Sequence, residues 1–294
     1  MSYYIQVNAD DQPTQSQIWK VTPKRAERID VVPSQLTTHY AESGENALSV
    51  LRKRFPVSTF HPLSLIPGDY YPSMARPIRL GHDPSPGHNP DNSEKARNAR
   101  ATSTGQLHAL IQQLEQICRV VHPKGSNLKT FGHEIRNVLL LACTEVELQW
   151  RTVLKANGVR GETTKDYVKL ATPMKLAEYC VAFPYYPWLP DIRPFDHWHS
   201  CTSTPTQDLQ WYAAYNAVKH DRGSNFAKAS LEHAFQAVTG FFVMLCAEYG
   251  WDFALQGEAA SRAFFQLTHA PQWHPSEIYV LSTPRKLRPI RYQF

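Results

Sequence analysis

The segment Tyr215-Asn216-Ala217-Val218-Lys219-His220-Asp221-Arg222 brings a phenol, an amide, an ammonium, an imidazole and a guanidinium close together. Residues four apart share a helix face, so on a helix Asn216 and His220 stack together. Lys219 and Arg222, three apart, then form a cationic edge beside them. A neutral imidazole next to fixed positive charge suits a phosphate-bearing ligand, with His220 as the proton carrier. Carboxylates that can answer those cations lie upstream, where Glu145 and Glu147 follow the apolar run 138–143. Burying a carboxylate on so apolar a helix is costly without a charged or hydrogen-bonding partner. One of the two, Glu145 in preference, is expected to meet segment 215–222. Such a set serves either as a functional site or as an ion-pair network that fixes helix packing.

Helices must position these groups, and the apolar spacing predicts four principal ones. Leu107, Leu110, Ile111, Leu114, Ile117 and Val121 form one stripe from about residue 103, ended by Pro123. A longer helix spans 131–156, with Asn157-Gly158 as its stop, and its apolar centre predicts burial on several sides. Thr172-Pro173 reads as the cap and first residue of a short element. A helix from about Pro205 carries Trp211, Ala214, Tyr215 and Val218 inward as far as Gly223. The last runs over 227–249, closed by Gly250. Short connections between them predict a mainly α fold, an antiparallel helical bundle over 107–250.

The flanks read differently. Residues 1–81 form a small α+β N-terminal region, with strands predicted at 3–7, 18–21 and 29–32. Its one helix follows Ser43 and ends in Arg52-Lys53-Arg54. Residues 82–106, rich in Pro, Gly, Asn, Ser and charge, read as a linker or mobile loop. Residues 251–294 form a C-terminal extension, with a strand candidate at 278–281 and a basic tail. That tail, through Arg285, Lys286, Arg288 and Arg291, is a candidate nucleic-acid contact, or else simply solvated.

The chain has 294 residues and a mild net charge of +5, which permits a nucleic-acid partner without requiring one. Its 22 Pro, 7 Trp, 14 Tyr and 13 Phe point to ordered, aromatic-rich loops rather than pervasive disorder. The longest apolar run, 241–247, is far short of a membrane span, and the first residues carry no secretory signal pattern. Five scattered Cys with no CxxC pair suit a reduced, cytoplasmic protein.

Across 103–250 the chain resembles the HEPN superfamily (higher eukaryotes and prokaryotes nucleotide-binding), most closely the helical proteins of bacterial phage-defence systems. Asn216 matches the family's polar residue, His220 its His, and the 227–249 stretch its final helix. Tyr215 stands where that motif has Arg. The resemblance implies a metal-independent ribonuclease or toxin acting as a homodimer, without cofactor, on RNA or a nucleotide. His220 would be the general acid/base, Arg222 and Lys219 the cations on the phosphoryl oxygens, and Asn216 the group orienting the imidazole. With Tyr215 in place of Arg, the same fold could instead be a non-catalytic module for a nucleotide, nucleic acid or defence-system partner protein.

Other constellations are thinner. His197-Trp198-His199-Ser200-Cys201 has metal-ligand residue types at alternate positions but no second pair, so no metal is expected. The aromatic loop 183–198 either packs on the helices or stacks on bases. His133 and Arg136-Asn137 open the long helix and would join the site if that helix end lay beside His220. Absence of a Gly-rich phosphate loop and of a G-x-S-x-G elbow excludes nucleotide-triphosphate motors, dehydrogenases and α/β-hydrolases.

Overall fold

Alternating side chains in the first strands bury both faces of a sheet, and the rest of the N-terminal region builds on that alternation. The computed structural model describes residues 1–8, 16–31, 35–80, 83–200, 202–250, 263–281 and 287–294. In chain order it begins with β1 (Ser2–Asn8), β2 (Gln17–Val21), β3 (Arg25–Arg28), β4 (Thr38–Tyr40), α1 (Ala47–Arg54) and β5 (Ser58–Pro62). Next come β6 (Asp69–Tyr70), β7 (Arg76–Leu80) and β8 (Asp83–His88). The helical stretch has α2 (Glu94–Val120), α3 (His133–Ala156), α4 (Thr164–Tyr167), β9 (Cys180–Ala182), α5 (Gln210–His220), α6 (Arg222–Asn225) and α7 (Leu231–Tyr249). Last are β10 (Gln266–His269), β11 (Tyr279–Val280) and β12 (Arg288–Pro289). Helices predominate, and none among the described residues is long and apolar enough to cross a membrane.

The chain forms two units. One comprises Met1–Tyr71, Arg76–Pro90 and Trp273–Ile290; the other comprises Pro72–Ala75, Asp91–Gln272 and Arg291–Phe294. In the first, an antiparallel sheet runs β4-β3-β2-β1-β5, with Ile5 opposite Ile18. Trp19, Val21, Ala26 and Phe60 pack with Ala47 and Leu51 of α1 on one face. Ile5, Val7 and Ile18 pack with Val280 on the other. Gln6, on the Trp19 face, accepts the indole N–H at 2.8 Å and donates to Ser58 at 2.9 Å, so its buried amide is satisfied. Asn46 rather than Ser43 caps α1, its side chain accepting from the Ser49 N–H. The third strand lies at Arg25–Arg28, before the predicted 29–32.

Residues 273–290 are not a separate extension. Residues 273–281 and 287–290 belong to the first unit, where β11 pairs parallel with β7 and β12 with β6. The expected linker is also corrected. Ser93 caps α2 through the Ala96 N–H, and residues 94–106 are helical. That stretch is rich in Ala, Arg and Lys, which favour helix, and largely exposed, so it shows no apolar period.

The second unit is organised about α7, which is buried on all sides and packs against α2, α3 and α5. Ser230 caps it, and its helix begins at Leu231 rather than 227. Trp150 of α3 lies at the centre of an aromatic core, 4.8 Å from Trp198 and 5.3 Å from Tyr212 between ring centroids. Gly240 lets the Trp211 ring lie against α7, since a Cβ there would sit 3.3 Å from the indole. Along α3, Val138, Leu139, Ala142 and Cys143 are buried, but Leu141 faces outward, so this helix keeps a solvent face. Thr172-Pro173 starts no helix; the nearby short elements are α4 and 3₁₀ turns at Val168–Leu170 and Leu176–Glu178.

Candidate functional site

Asp221 decides the shape of the segment that carries the candidate chemistry. Its backbone is extended (φ −142°, ψ 85°), and its N–H closes α5 on the Ala217 carbonyl at 3.0 Å. Its carboxylate accepts the Ser224 N–H at 3.2 Å and so caps α6. The helix therefore ends at His220, and Arg222 starts a new one. Lys219 and Arg222 do not share one helix edge as the spacing suggested. Lys219, His220 and Arg222 are all exposed, while Asn216 is half-buried. No hydrogen bond joins Asn216 to His220, and neither His220 nor Arg222 has a hydrogen-bond or ion-pair partner among the described residues.

Tyr215 is buried, and its hydroxyl accepts from the Lys219 ammonium at 2.9 Å one turn on. The same ammonium lies 4.9 Å from the ring centroid. That hydrogen bond raises the Lys219 pKa, so the cation is held against its own helix.

Glu147, not Glu145, is the carboxylate that meets α5. Its Oε1 accepts the Tyr212 hydroxyl at 2.7 Å, and its Oε2 lies 3.8 Å from the Arg151 guanidinium one turn along α3. Burial first, then the bond to Glu147, pushes the Tyr212 phenol well above its ordinary value, so it stays a donor. The Tyr212 and Tyr215 rings lie 5.4 Å apart, which links Arg151, Glu147, Tyr212, Tyr215 and Lys219 in one file. Cys143, a turn before Glu147, has its thiol pushed well above the usual range by burial and is no nucleophile. Glu145 is half-buried without an ion pair or hydrogen bond among the described residues, and burial raises its pKa. Tyr212 and Arg151 escaped sequence reasoning. The spacing of Tyr212, Tyr215 and Lys219, which puts all three on one helix face, was the available signal.

At the other helix end, the His133 ring lies 5.1 Å from Phe226, just after α6, and Phe131 lies 5.7 Å from the same ring. The start of α3 thus reaches the α6 turn, while among the described residues the Arg136 guanidinium makes only a 3.5 Å contact to Asn137. In the aromatic loop, Phe183, Phe195 and Trp198 are core residues. His197 lies 3.5 Å from Asp196, His199 is exposed, and Cys201 is outside the described residues. No group of three or more metal-ligating residues forms among the described residues.

The basic tail divides. Arg285 and Lys286 lie outside the described residues. Arg288 is committed to buried Asp69 by two hydrogen bonds of 2.7 Å, so it is no free phosphate contact. Arg291 lies over Gly158, where a Cβ would sit 3.0 Å from its Cδ. Compared with known proteins, the chain matches no family model, no curated protein and no solved structure.

Proposed function

We propose that the second unit is an antiparallel helical bundle of HEPN type that binds RNA at the α5–α6 junction, as a module of a bacterial defence system. The observation carrying this reading is the exposure of His220 and Arg222 with no partner among the described residues. Lys219 and Asp221 on either side are already committed, to Tyr215 and to Ser224. Two side chains with unpartnered nitrogens, two residues apart at the α5–α6 junction, suit phosphodiester oxygens.

A second reading, a metal-independent ribonuclease, draws on the same unobstructed imidazole. A general acid/base needs an orienting partner, and Asn216 supplies none within the chain. Catalysis would therefore need a second copy to position His220 and bring a further cation, making the active form a homodimer. Tyr215 in the expected Arg position, and the absence of an orienting bond, favour the binding reading.

Incubation of wild type and His220→Ala with total RNA in EDTA, alongside an RNA-binding titration with Arg222→Ala, separates the two. Binding without cleavage, weakened by either substitution, supports the module. Cleavage insensitive to EDTA and lost in His220→Ala establishes the ribonuclease. RNA binding and cleavage indifferent to both substitutions would sink both readings.

A further inference from the structure

Along β7, Arg76 and Ile78 lie on one face of the strand, and both are buried. Ile78 packs with Leu65, Tyr70 and Tyr279 in an apolar cluster of the first unit. Arg76 thus sets a guanidinium at a core position, with only 5% of the residue exposed. A charge so placed is costly unless an opposite charge or a full set of hydrogen bonds meets it.

Aromatic rings surround it instead. Its central carbon lies 4.8 Å from the Trp273 ring centroid, 4.9 Å from Tyr71 and 5.9 Å from Tyr279. Such faces favour a cation but leave its N–H groups unbonded. Nη1 donates to the Glu277 carbonyl at 3.0 Å. The buried Nε has no hydrogen-bond partner; Nη2 has no bond, and the guanidinium no ion pair, among the described residues. Neighbouring polar groups are turned elsewhere. The Tyr279 hydroxyl accepts the Tyr71 N–H at 3.2 Å, and the Glu277 carboxylate accepts the His274 N–H at 3.1 Å. Burial pushes the Tyr279 phenol above its ordinary value, against the pull of Arg76, so it supplies no counter-charge.

The unbonded edge is the Nε–Nη2 side, whose two parallel N–H groups match the two oxygens of a carboxylate. One guanidinium balances one negative charge, which a carboxylate carries and a phosphate dianion exceeds. Only a narrow acidic group reaches an edge so buried. Trp273 and Tyr71 are partly exposed, and their rings offer apolar faces beside the charge. We infer that Arg76 anchors a small-molecule carboxylate in the first unit, the acid seated on Nε and Nη2 and its flat apolar body against Trp273 and Tyr71. This site is independent of the RNA reading and lies in the other unit.

The test is calorimetric titration of the full chain with benzoate, with benzamide as its neutral analogue and inorganic phosphate as the alternative anion. Benzoate should saturate a single site and, at about ten times its Kd, raise the Tm by about 2 °C. Benzamide should do neither. Arg76→Lys keeps the charge but loses the fork, and should weaken benzoate about tenfold. Trp273→Leu, which leaves Arg76 in place, should weaken it too and carries the test if the Arg76 variants fail to fold. Arg76→Met should abolish binding yet hold the wild-type Tm in probe-free buffer, because no carboxylate loses its partner. Binding of phosphate but not benzoate would overturn the carboxylate assignment. Benzoate binding that Arg76→Lys and Trp273→Leu leave unchanged would put the probe elsewhere and overturn the site. Failure of wild type to bind either anion overturns the inference, and a large fall in Tm for Arg76→Met would then make the ring cage a packing device.

Discussion

The Tyr212 hydroxyl donates a 2.7 Å hydrogen bond to Glu147 Oε1, tying α5 to α3 beside the Trp150 aromatic core. Glu147, the less favoured of the two carboxylates that the sequence offered to a cationic site, thus answers a phenol, and Lys219 answers a second phenol, Tyr215. Both contacts hold α5, whose end presents His220, and leave the imidazole and the Arg222 guanidinium exposed.

Tyr212→Phe should destabilise the protein by about 1.5–3 kcal/mol, the net worth of a hydrogen bond to a charged acceptor. Urea unfolding measures it. A loss below about 0.3 kcal/mol would show that the bond to Glu147 contributes nothing.

His220→Ala and Arg222→Ala should leave the Tm unchanged, within about 0.5 kcal/mol of wild-type stability, because exposed side chains without partners carry little of it. RNA binding should weaken in both. A large fall in Tm for either, in differential scanning calorimetry, would return the segment to a packing role.

Glu248 is buried in the last turn of α7 with a hydrogen bond to Ser73, and burial pushes its carboxyl up from 4.5 to about 8. Between those values the folded chain holds a proton that the unfolded chain has lost. Stability should therefore fall as pH rises from about 4.5 to 8, by at most about 1.4 kcal/mol per unit, and level off above. Glu248→Gln should flatten this part of the profile. An unchanged profile in the variant would show that another group sets it.

Arg288→Ala should destabilise the first unit, because Asp69 is left as a buried carboxylate without its bidentate partner. RNA affinity should not change. Guanidinium unfolding measures the first effect. Weakened RNA binding with wild-type stability would restore Arg288 to the nucleic-acid surface.

Much of the local structure was legible in the sequence. The apolar stripe Leu107, Leu110, Ile111 and Leu114 of α2 declares itself, because one repeat length buries one face. The start of α2 was not legible, since a helix exposed on nearly all sides carries no such repeat. Nor was the break at Asp221, which belongs to one side chain capping the next helix through Ser224. The choice between Glu145 and Glu147 lay beyond any local pattern. Residues two apart stand about 200° apart around a helix axis, so only the rotation of α3 against α5 brings Glu147 to Tyr212. The sequence by itself determined which residue types gather near the end of α5. Tertiary packing decided that Glu147 rather than Glu145 meets α5, at Tyr212, while His220 and Arg222 stay exposed.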